Sequence, residues 1–260
     1  MESQAGLSIM PLRGMPLFAP GMSVAGEVVD AARRSGIELR ETDVIVVALK
    51  IVSKAEGRLV RLADVQVSEA ARELAAKTGR APEYAQLILD ESSEILREKP
   101  AAIIARQKTG HVLANAGIDA SNVEGGGDGT VLLWPLDPDA SARALRAELG
   151  AMCGVRPAVV IADSLGRAWR IGTVGAAIGC AGLSVLDDRR GKGKDLFGRT
   201  LHATVIAVAD AAAAAAVLAM GEGAEGTPAA LERGAGNWVS AEDGPGAASG
   251  IRPVAEDMFR

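Results

Sequence analysis

A run rich in β-branched residues, from Asp43 to Val52, restricts the fold more than any other segment of the chain. Such a run, without alternating polar positions, predicts a strand that is buried on both faces of its sheet. Two helices are predicted to follow. The first begins at Ser68 and runs to about Lys77, where Gly79 ends it, and Pro82 lies in the first turn of the second.

The rest of the chain alternates between short strands and helices. The helix that opens at Pro82 is expected to place Leu87, Ile88, Ile95 and Leu96 on or near one face. Further strands are predicted at 101–107 and 111–115, as a hairpin around 108–110, and at 130–134, 158–162, 176–179 and 204–209. Further helices are predicted to open at 137–138, at 210 and at 227–228. This mixture predicts an α+β or mixed α/β fold rather than a Rossmann alternation.

The length of 260 residues suits one large domain or two lobes. Residues 1–243 are predicted to form one unit, with a division into two lobes left open. A Gly-rich stretch from 244 to 250 predicts a linker, and residues 251–260 follow it as a short tail.

Composition excludes several classes of protein. Apolar residues make up 48% of the chain, which rules out disorder, and 28 basic against 33 acidic residues give a net charge of −5. Without a positive field, nucleic-acid binding is disfavoured, and an aromatic content of 3% disfavours stacking platforms for single strands. The two cysteines form neither a disulfide framework nor a zinc cluster, which favours a reducing cytoplasm. The apolar stretch from 203 to 220 is interrupted by Asp210, so no membrane span is expected.

Two aspartates each follow an apolar run, at a point where a strand is expected to give way to a loop. Asp119 lies in the segment NAGIDASN at 115–122, and Asp163 is followed at once by Ser164, Arg167 and Arg170. Carboxylate and hydroxyl oxygens together with guanidinium groups are what a divalent metal and a polyphosphate need, and these ligands favour Mg²⁺ or Mn²⁺ over Zn²⁺. The alternatives are ordinary loop carboxylates and a solvated loop anchored by a tryptophan.

Two lysines and a glycine-rich segment extend this candidate site. Lys50 and Lys54 lie at the end of the predicted strand, where α/β proteins bind ligands, and the alternative is a simple polar strand exit. The segment GEGAEG at 221–226 has the dinucleotide spacing but follows an Ala-rich helix, which favours a helix C-cap and a turn. Its Glu222 and Glu225 remain available as metal ligands. No Gly-x-x-x-x-Gly-Lys-Ser/Thr motif occurs in the sequence, so a P-loop is excluded.

Taken together, these segments resemble a known family. The matching stretches are GMP at 14–16, KIVSKAEGR at 50–58, NAGIDASN at 115–122, ADSLGRAWR at 162–170, AIG at 177–179, KDLFGR at 194–199 and MG at 220–221. They occur in the order found in the CofE-like family, the coenzyme F420-0:L-glutamate ligases, and extend over most of residues 11–238. The end of the chain from Ile251 to Phe259 also resembles that family.

The resemblance implies a GTP-dependent ligase that adds L-glutamate to coenzyme F420-0 through a γ-linked amide and an acyl phosphate, with GDP formed. It implies a mixed α/β fold that forms an intertwined homodimer. It also implies two Mg²⁺ or Mn²⁺ ions, with K⁺ as a further candidate. The implied metal ligands are Asp119, Asp163, Ser164 and Glu222, and the implied catalytic residues are Asp119, Asp163, Arg167 and Arg170. The implied GTP contacts are Met15, Pro16, Leu17, Phe18, Lys54, Asn122, Met220, Gly221, Glu222, Gly223, Ala224, Glu225, Gly226 and Thr227.

Two departures from the family pattern bear on specificity. Leu49 stands where the family usually has serine, and Thr173-Val174-Gly175 replaces a stretch that is usually more polar. They leave open a paralogous ligase for another amino acid or acceptor acid. A non-catalytic nucleotide- or deazaflavin-binding protein is the other alternative. The number of glutamates added, the preferred metal and the choice between GTP and ATP also stay open.

Overall fold

The computed structural model describes residues 6–100 and 102–257, and the predictions that fall on residues 1–5, 101 and 258–260 lie outside it. The strands are β1 (Ser8–Pro11), β2 (Val44–Ala48), β3 (Leu59–Arg61), β4 (Ser92–Lys99), β5 (Ala102–Gln107), β6 (Val112–Ala114), β7 (Thr130–Leu132), β8 (Ala158–Gly166), β9 (Thr173–Ala181), β10 (Leu186–Asp188), β11 (Val205–Ala207) and β12 (Ala229–Arg233). The α-helices are α1 (Val24–Arg34), α2 (Leu49–Ala55), α3 (Glu69–Thr78), α4 (Pro82–Glu91), α5 (Pro138–Cys153) and α6 (Val208–Met220). The mixed helix and strand content predicted from the sequence is confirmed.

A five-stranded sheet in the order β1-β12-β2-β8-β9 forms the main layer of the protein. Only the central pair, β2 and β8, is parallel, and the other neighbours are antiparallel. As predicted, β2 is buried on both faces, because its residues alternate between two cores. Ile45 and Val47 pack with α1 and α5 on one side, whereas Val44 and Val46 pack with the Ala-rich α6 on the other.

A second group of elements forms a smaller core beside this sheet. Helices α3 and α4 pack against the three-stranded sheet β4-β5-β6 and the pair β3-β7. Leu74, Ile88 and Ile103 lie at the centre of this cluster. The predicted caps are confirmed here, because Ser68 accepts from the Ala71 backbone N–H and Gly79 ends the helix in the left-handed conformation.

Four predicted elements are corrected by the structure. The strand from Asp43 ends at Ala48, and residues 49–55 form α2 instead. Ile95 and Leu96 lie on β4 rather than on the preceding helix, and residues after Thr227 form β12 rather than a helix. Helix α6 begins at Val208, so Asp210 lies inside its first turn and accepts a hydrogen bond from the Ala177 backbone N–H of β9.

The strand that carries the second acidic motif is longer than predicted. β8 continues from Ala158 through Gly166, so Asp163 and Ser164 lie within a strand and not in a loop. The motif around Asp119 follows a short 3-10 helix at Asn115–Gly117. The two aspartates therefore have different backbone settings, although the sequence predicted the same one for both.

The Gly-rich segment at 244–250 packs against the main body. Asp139, in the first turn of α5, accepts from the backbone N–H groups of Ala247 and Ala248 at 2.7 and 3.2 Å. Ala247 is buried as a result. Cys153 and Cys180 are both free thiols. In the part of the chain that the structure describes, no helix combines the length and apolarity that a membrane crossing requires.

Candidate active site

A cleft of about 730 Å³ opens where the parallel strands β2 and β8 end their pairing, beside Ala48 and Ala162. Its walls come from the loop at 15–20, the first turns of α2, the loop at 122–124, the middle of β8 and the turn at 220–228. Ligands in open α/β sheets bind at the carboxyl ends of the strands, so this location agrees with the predicted one.

Two lysines on one face of α2 point into this cleft. Lys50 and Lys54 are four residues apart, a spacing that puts side chains on the same side of a helix. The Lys50 ammonium lies 2.8 Å from Asp119 Oδ2 and donates to Ser121 Oγ at 2.6 Å. Lys54 Nζ donates to the Asn122 carbonyl at 2.7 Å. Burial, and then the neighbouring Lys50 charge, hold the pKa of Lys54 below its ordinary value.

A left-handed turn brings Asp119 to the cleft. Asn115, Ala116 and Gly117 all have positive φ, at 52°, 53° and 77°. A Cβ on Gly117 would lie 2.3 Å from Trp134 Nε1, so only glycine allows this close approach. Asp119 then forms an isolated antiparallel β-bridge with Leu132, the last residue of β7. The turn thus connects the smaller core to the cleft.

Hydrogen bonds keep Asp119 charged. Its Oδ1 accepts from the Ser121 backbone N–H at 2.7 Å, and its Oδ2 accepts from the Ser121 hydroxyl at 3.0 Å. Burial raises the pKa of this carboxyl, but the bonds from Lys50 and Ser121 outweigh burial and leave the pKa below its ordinary value.

Asp163 has the opposite electrostatic environment. Burial raises its pKa to about 6, and the negative charge of Asp119 adds to that rise despite a hydrogen bond from the Ser164 backbone N–H. Its Oδ2 accepts from the indole of Trp134 at 3.2 Å. Trp134 is 1% exposed, and Arg58 Nε donates to its carbonyl at 2.7 Å, so the indole is held firmly.

The turn after α6 closes the opposite wall. Ser164 Oγ donates to Glu222, which ties β8 to this turn. Asn122 Nδ2 donates to the Gly223 carbonyl at 3.2 Å, and the Gly223 N–H donates to Glu225 at 2.7 Å. Gly221 has a φ of 80°, as a helix end followed by a turn requires. The loop at 115–122 and the turn at 220–227 therefore face each other across the cleft.

The oxygen ligands in the cleft suit a hard divalent cation. Asp119, Asp163, Ser164 and Glu222 supply only oxygen atoms. Within residues 6–100 and 102–257, no three His, Cys, Asp or Glu side chains are grouped as a ready-made metal cage. Mg²⁺ usually takes one or two carboxylates together with water and substrate phosphates, so this sparse set fits it.

The structure gathers most, but not all, of the predicted site residues. The predicted nucleotide contacts all line the cleft, and so do Asp163 and Ser164. Asp119 adjoins it through its ion pair with Lys50. Arg167 and Arg170 instead lie at the turn between β8 and β9, where they line a second cavity.

Two residues that contact the aspartates of the site were not among the predicted site residues. The sequence placed Lys50 beside Lys54 at the strand end but gave it no role in the site, although the four-residue spacing puts both side chains on one side of a helix. Trp134 approaches Asp163 from 29 residues away in the chain, and no local pattern marks that contact.

Comparison with known proteins shows the family to which the chain belongs. The family model described as F420-0:gamma-glutamyl ligase matches residues 14–234. This chain belongs to that family. A relative named coenzyme F420:L-glutamate ligase, from Methanothermobacter thermautotrophicus, is 42% identical over 255 residues, covering 98% of this chain and 99% of the relative.

Two further relatives carry the same name. The one from Archaeoglobus fulgidus is 44% identical over 228 residues, covering 88% of each chain. The one from Methanopyrus kandleri is 42% identical over 259 residues, covering 98% of this chain and 99% of the relative. The resemblance seen in the sequence is confirmed, and family membership extends over almost the whole chain.

Proposed function

We propose that this protein is a GTP-dependent ligase that joins L-glutamate to coenzyme F420-0 by an amide bond. The observation that supports it best is the cleft itself, in which two lysines, two aspartates and a glycine-rich turn meet at the end of the parallel strands. The family match and the names of the relatives indicate the acceptor and the amino acid.

The proposed chemistry proceeds in two balanced steps. A carboxylate oxygen of the acceptor attacks the γ-phosphorus of GTP, the bond to the β-phosphate oxygen breaks, and GDP leaves. The amine of glutamate then attacks the acyl carbon, inorganic phosphate leaves with the bonding pair, and the amine nitrogen loses a proton. A γ-linked amide forms when the activated acid is the γ-carboxyl of a glutamate already attached, so further additions follow the same two steps.

The residues of the cleft have distinct proposed roles. Lys50 and Lys54 contact the phosphates, since an ammonium at the strand end attracts and orients them. The turn at 220–227 holds the nucleotide in place of a P-loop, with its glycines allowing the backbone to come close. Asp119, Asp163, Ser164 and Glu222 hold one or two Mg²⁺ or Mn²⁺ ions, which when bound offset the charge on the transferred phosphate. K⁺ has no assigned residues.

The two departures from the family pattern lie in different cavities. Leu49 is 3% exposed and lines the proposed nucleotide cleft, where it contributes apolar contact and no hydroxyl. Thr173 lies at the start of β9 and lines the second cavity. A Cβ on Gly175 would lie 2.4 Å from the Ala213 carbonyl, so that glycine is fixed by the packing of α6.

The decisive test is product formation by the purified protein. GDP release is measured with Mg²⁺ and GTP, with and without L-glutamate and coenzyme F420-0, and the product mass is determined. We expect GDP release to need all components and the acceptor to gain one or more glutamyl residues. An amide formed only with another amino acid or acid would identify a paralogous ligase. Tight GTP binding without any amide would show a binding protein.

The assembly proposed with this function is a homodimer in the cytoplasm, where GTP is available. Apolar side chains support it, because Leu17, Trp169, Ile171, Leu196 and Phe197 are all strongly exposed in the single chain. Light scattering at micromolar concentration should give about twice the chain mass of 26.6 kDa. A value near the chain mass itself would refute the dimer.

A further inference from the structure

A second cavity of about 1010 Å³ lies next to the cleft, and its residues have no role in the proposed chemistry. Its walls come from the hairpin β5-β6, the β8-β9 turn and the segment at 250–257. Five arginines line it, namely Arg97, Arg106, Arg167, Arg170 and Arg252. Two aspartates also line it, so positive charge is in excess. A cavity of this size that combines apolar walls with charged side chains is typical of a site for an organic ligand.

One of these arginines is buried without good partners. Arg106 is 9% exposed, yet its polar contacts with the described residues are long. Nε lies 3.5 Å from Glu94, Nη1 lies 3.5 Å from the Gly110 carbonyl, and Nη2 lies 3.6 Å from Asp257. Among the described residues Nη2 has no hydrogen-bond partner. A buried guanidinium normally makes short bonds, so this one is incompletely satisfied in the free protein.

The two aspartates do not offset the five arginines. Asp210 already accepts from the Ala177 backbone N–H at 2.9 Å. Asp257 lies 3.6 Å from Arg106 Nη2, which is beyond a normal hydrogen bond. The excess of arginines along the walls therefore suits an anionic ligand.

The cavity and the cleft share one strand. Asp163 and Ser164 line the cleft, whereas Leu165 and Gly166 line the cavity. At a rise of about 3.3 Å per residue, Asp163 and Leu165 are roughly 7 Å apart along β8. His111, which also lines the cavity, stacks edge-on against Trp134 at 5.3 Å. A molecule bound in the cavity therefore needs to extend only a few ångströms to reach the cleft.

We infer that the second cavity binds the acceptor of the ligation and that Arg106 grips an anionic group of that acceptor. This inference rests on the proposed function and adds a site to it. The ligand class is an acid with a large apolar or aromatic body and a second anionic group. The body fills the cavity, the second anion pairs with the Arg106 fork, and the reacting carboxylate extends along β8 towards Asp163.

The test measures binding of coenzyme F420-0 to the nucleotide-free protein by calorimetry, with GTP binding measured in parallel. Arg106→Met removes the fork and should raise the acceptor Kd at least tenfold while leaving the GTP Kd unchanged. Arg106→Lys keeps the charge but not the bidentate geometry, so its acceptor Kd should lie between those of the parent and of Arg106→Met. Arg72→Met is the control, because Arg72 is exposed on α3 and pairs only loosely with Glu69 at 3.4 Å.

A second variant tests the cavity without altering a buried residue, so that the test does not depend on the folding of Arg106→Met. Thr173 is exposed at the edge of the cavity, so Thr173→Trp should fold normally and exclude the acceptor by filling space. Acceptor affinity should again fall at least tenfold, with the melting temperature unchanged.

The outcomes separate this inference from the proposed function. If the parent binds the acceptor and all variants bind it equally, the cavity is not the acceptor site. If the parent binds the acceptor through Arg106 but forms no amide, the site stands and the ligase proposal fails. If the parent does not bind the acceptor, both fail. If Thr173→Trp converts a dimer to monomers without changing acceptor binding, the cavity holds a second copy of the chain and the inference is overturned.

Discussion

Glu232 offers the sharpest prediction about stability. It lies on β12 between Ile9 of β1 and Val44 of β2, and it is 1% exposed. Among the described residues its Oε1 has no hydrogen-bond partner. Strand alternation places it on the same face as Ala230, against the apolar core of α6. Burial accordingly raises the pKa of this carboxyl from 4.5 to about 7.

The sign of the effect follows from linkage. Because the pKa is raised in the folded state, the protonated form contributes stability that is complete below pH 4.5 and is lost as the pH rises to about 7. At about 1.36 kcal/mol per pH unit, ionisation costs the fold about 3 kcal/mol above pH 7, most of it between pH 5 and 8. Glu232→Gln removes that cost.

The assay is urea unfolding of the parent and Glu232→Gln at pH 5 and pH 8. The variant should gain about 2.5 kcal/mol relative to the parent between these two values, or about 5 °C in melting temperature at pH 8. Glu242→Gln is the control, since Glu242 is exposed and should change nothing. An equal stability difference at both pH values would refute the assignment of a neutral, buried Glu232.

Three further predictions concern the cleft. Asp163→Asn keeps the shape but removes the charge, so metal-dependent GDP formation should fall about a hundredfold or more in a folded variant, and normal turnover would make it a structural residue. Because burial raises the pKa of Asp163 to about 6, the melting temperature at neutral pH should stay the same or rise. Lys54→Ala should weaken GTP binding at least tenfold by calorimetry, whereas Lys99→Ala on exposed β4 should not. Gly117→Ala should lower the free energy of unfolding by about 1–3 kcal/mol, because its φ is positive and the indole lies in the way. Gly127→Ala meets nothing within 4 Å and should be near neutral; equal losses would contradict this reasoning.

The elements that the sequence predicted well are those with local signals. Ser68 and Gly79 bound α3, and Asp137 and Gly154 bound α5, because each cap acts on backbone groups within four residues. The buried strand β2 was equally clear, since a continuous apolar run can only be covered on both faces.

The elements that were missed lack such signals. Ala48 occupies the N-cap position of α2 but has no side chain that could cap the helix. Apolar residues continue on both sides of this position, so no local signal marks the change from strand to helix. Ser92 follows the last residue of α4 in an extended conformation, and no glycine marks this helix end. The sequence therefore gave no signal for the start of β4. Thr227-Pro228 has the pattern of a helix start, but pairing with β1 and β2, which lie far away in the chain, makes it the entry to β12.

The candidate site shows the same division. Short motifs indicated the cleft residues, since carboxylates, lysines and glycines have chemistry that is visible in sequence. The partition between two cavities was not visible, because it depends on how far β8 extends past Asp163. Arg167 and Arg170 therefore looked like parts of one phosphate site, although they line the neighbouring cavity.

The tryptophans give the protein two distinct optical signals. Trp134 is 1% exposed and lies between Asp163 of the cleft and His111 of the second cavity, so we expect it to emit at short wavelength. Trp169 is 88% exposed between the two arginines of the β8-β9 turn, and it emits at longer wavelength. Trp238→Phe would remove the third indole. A stopped-flow trace could then follow the buried and the exposed indole separately with no added dye, after each ligand has been added alone, because Trp134 borders both cavities.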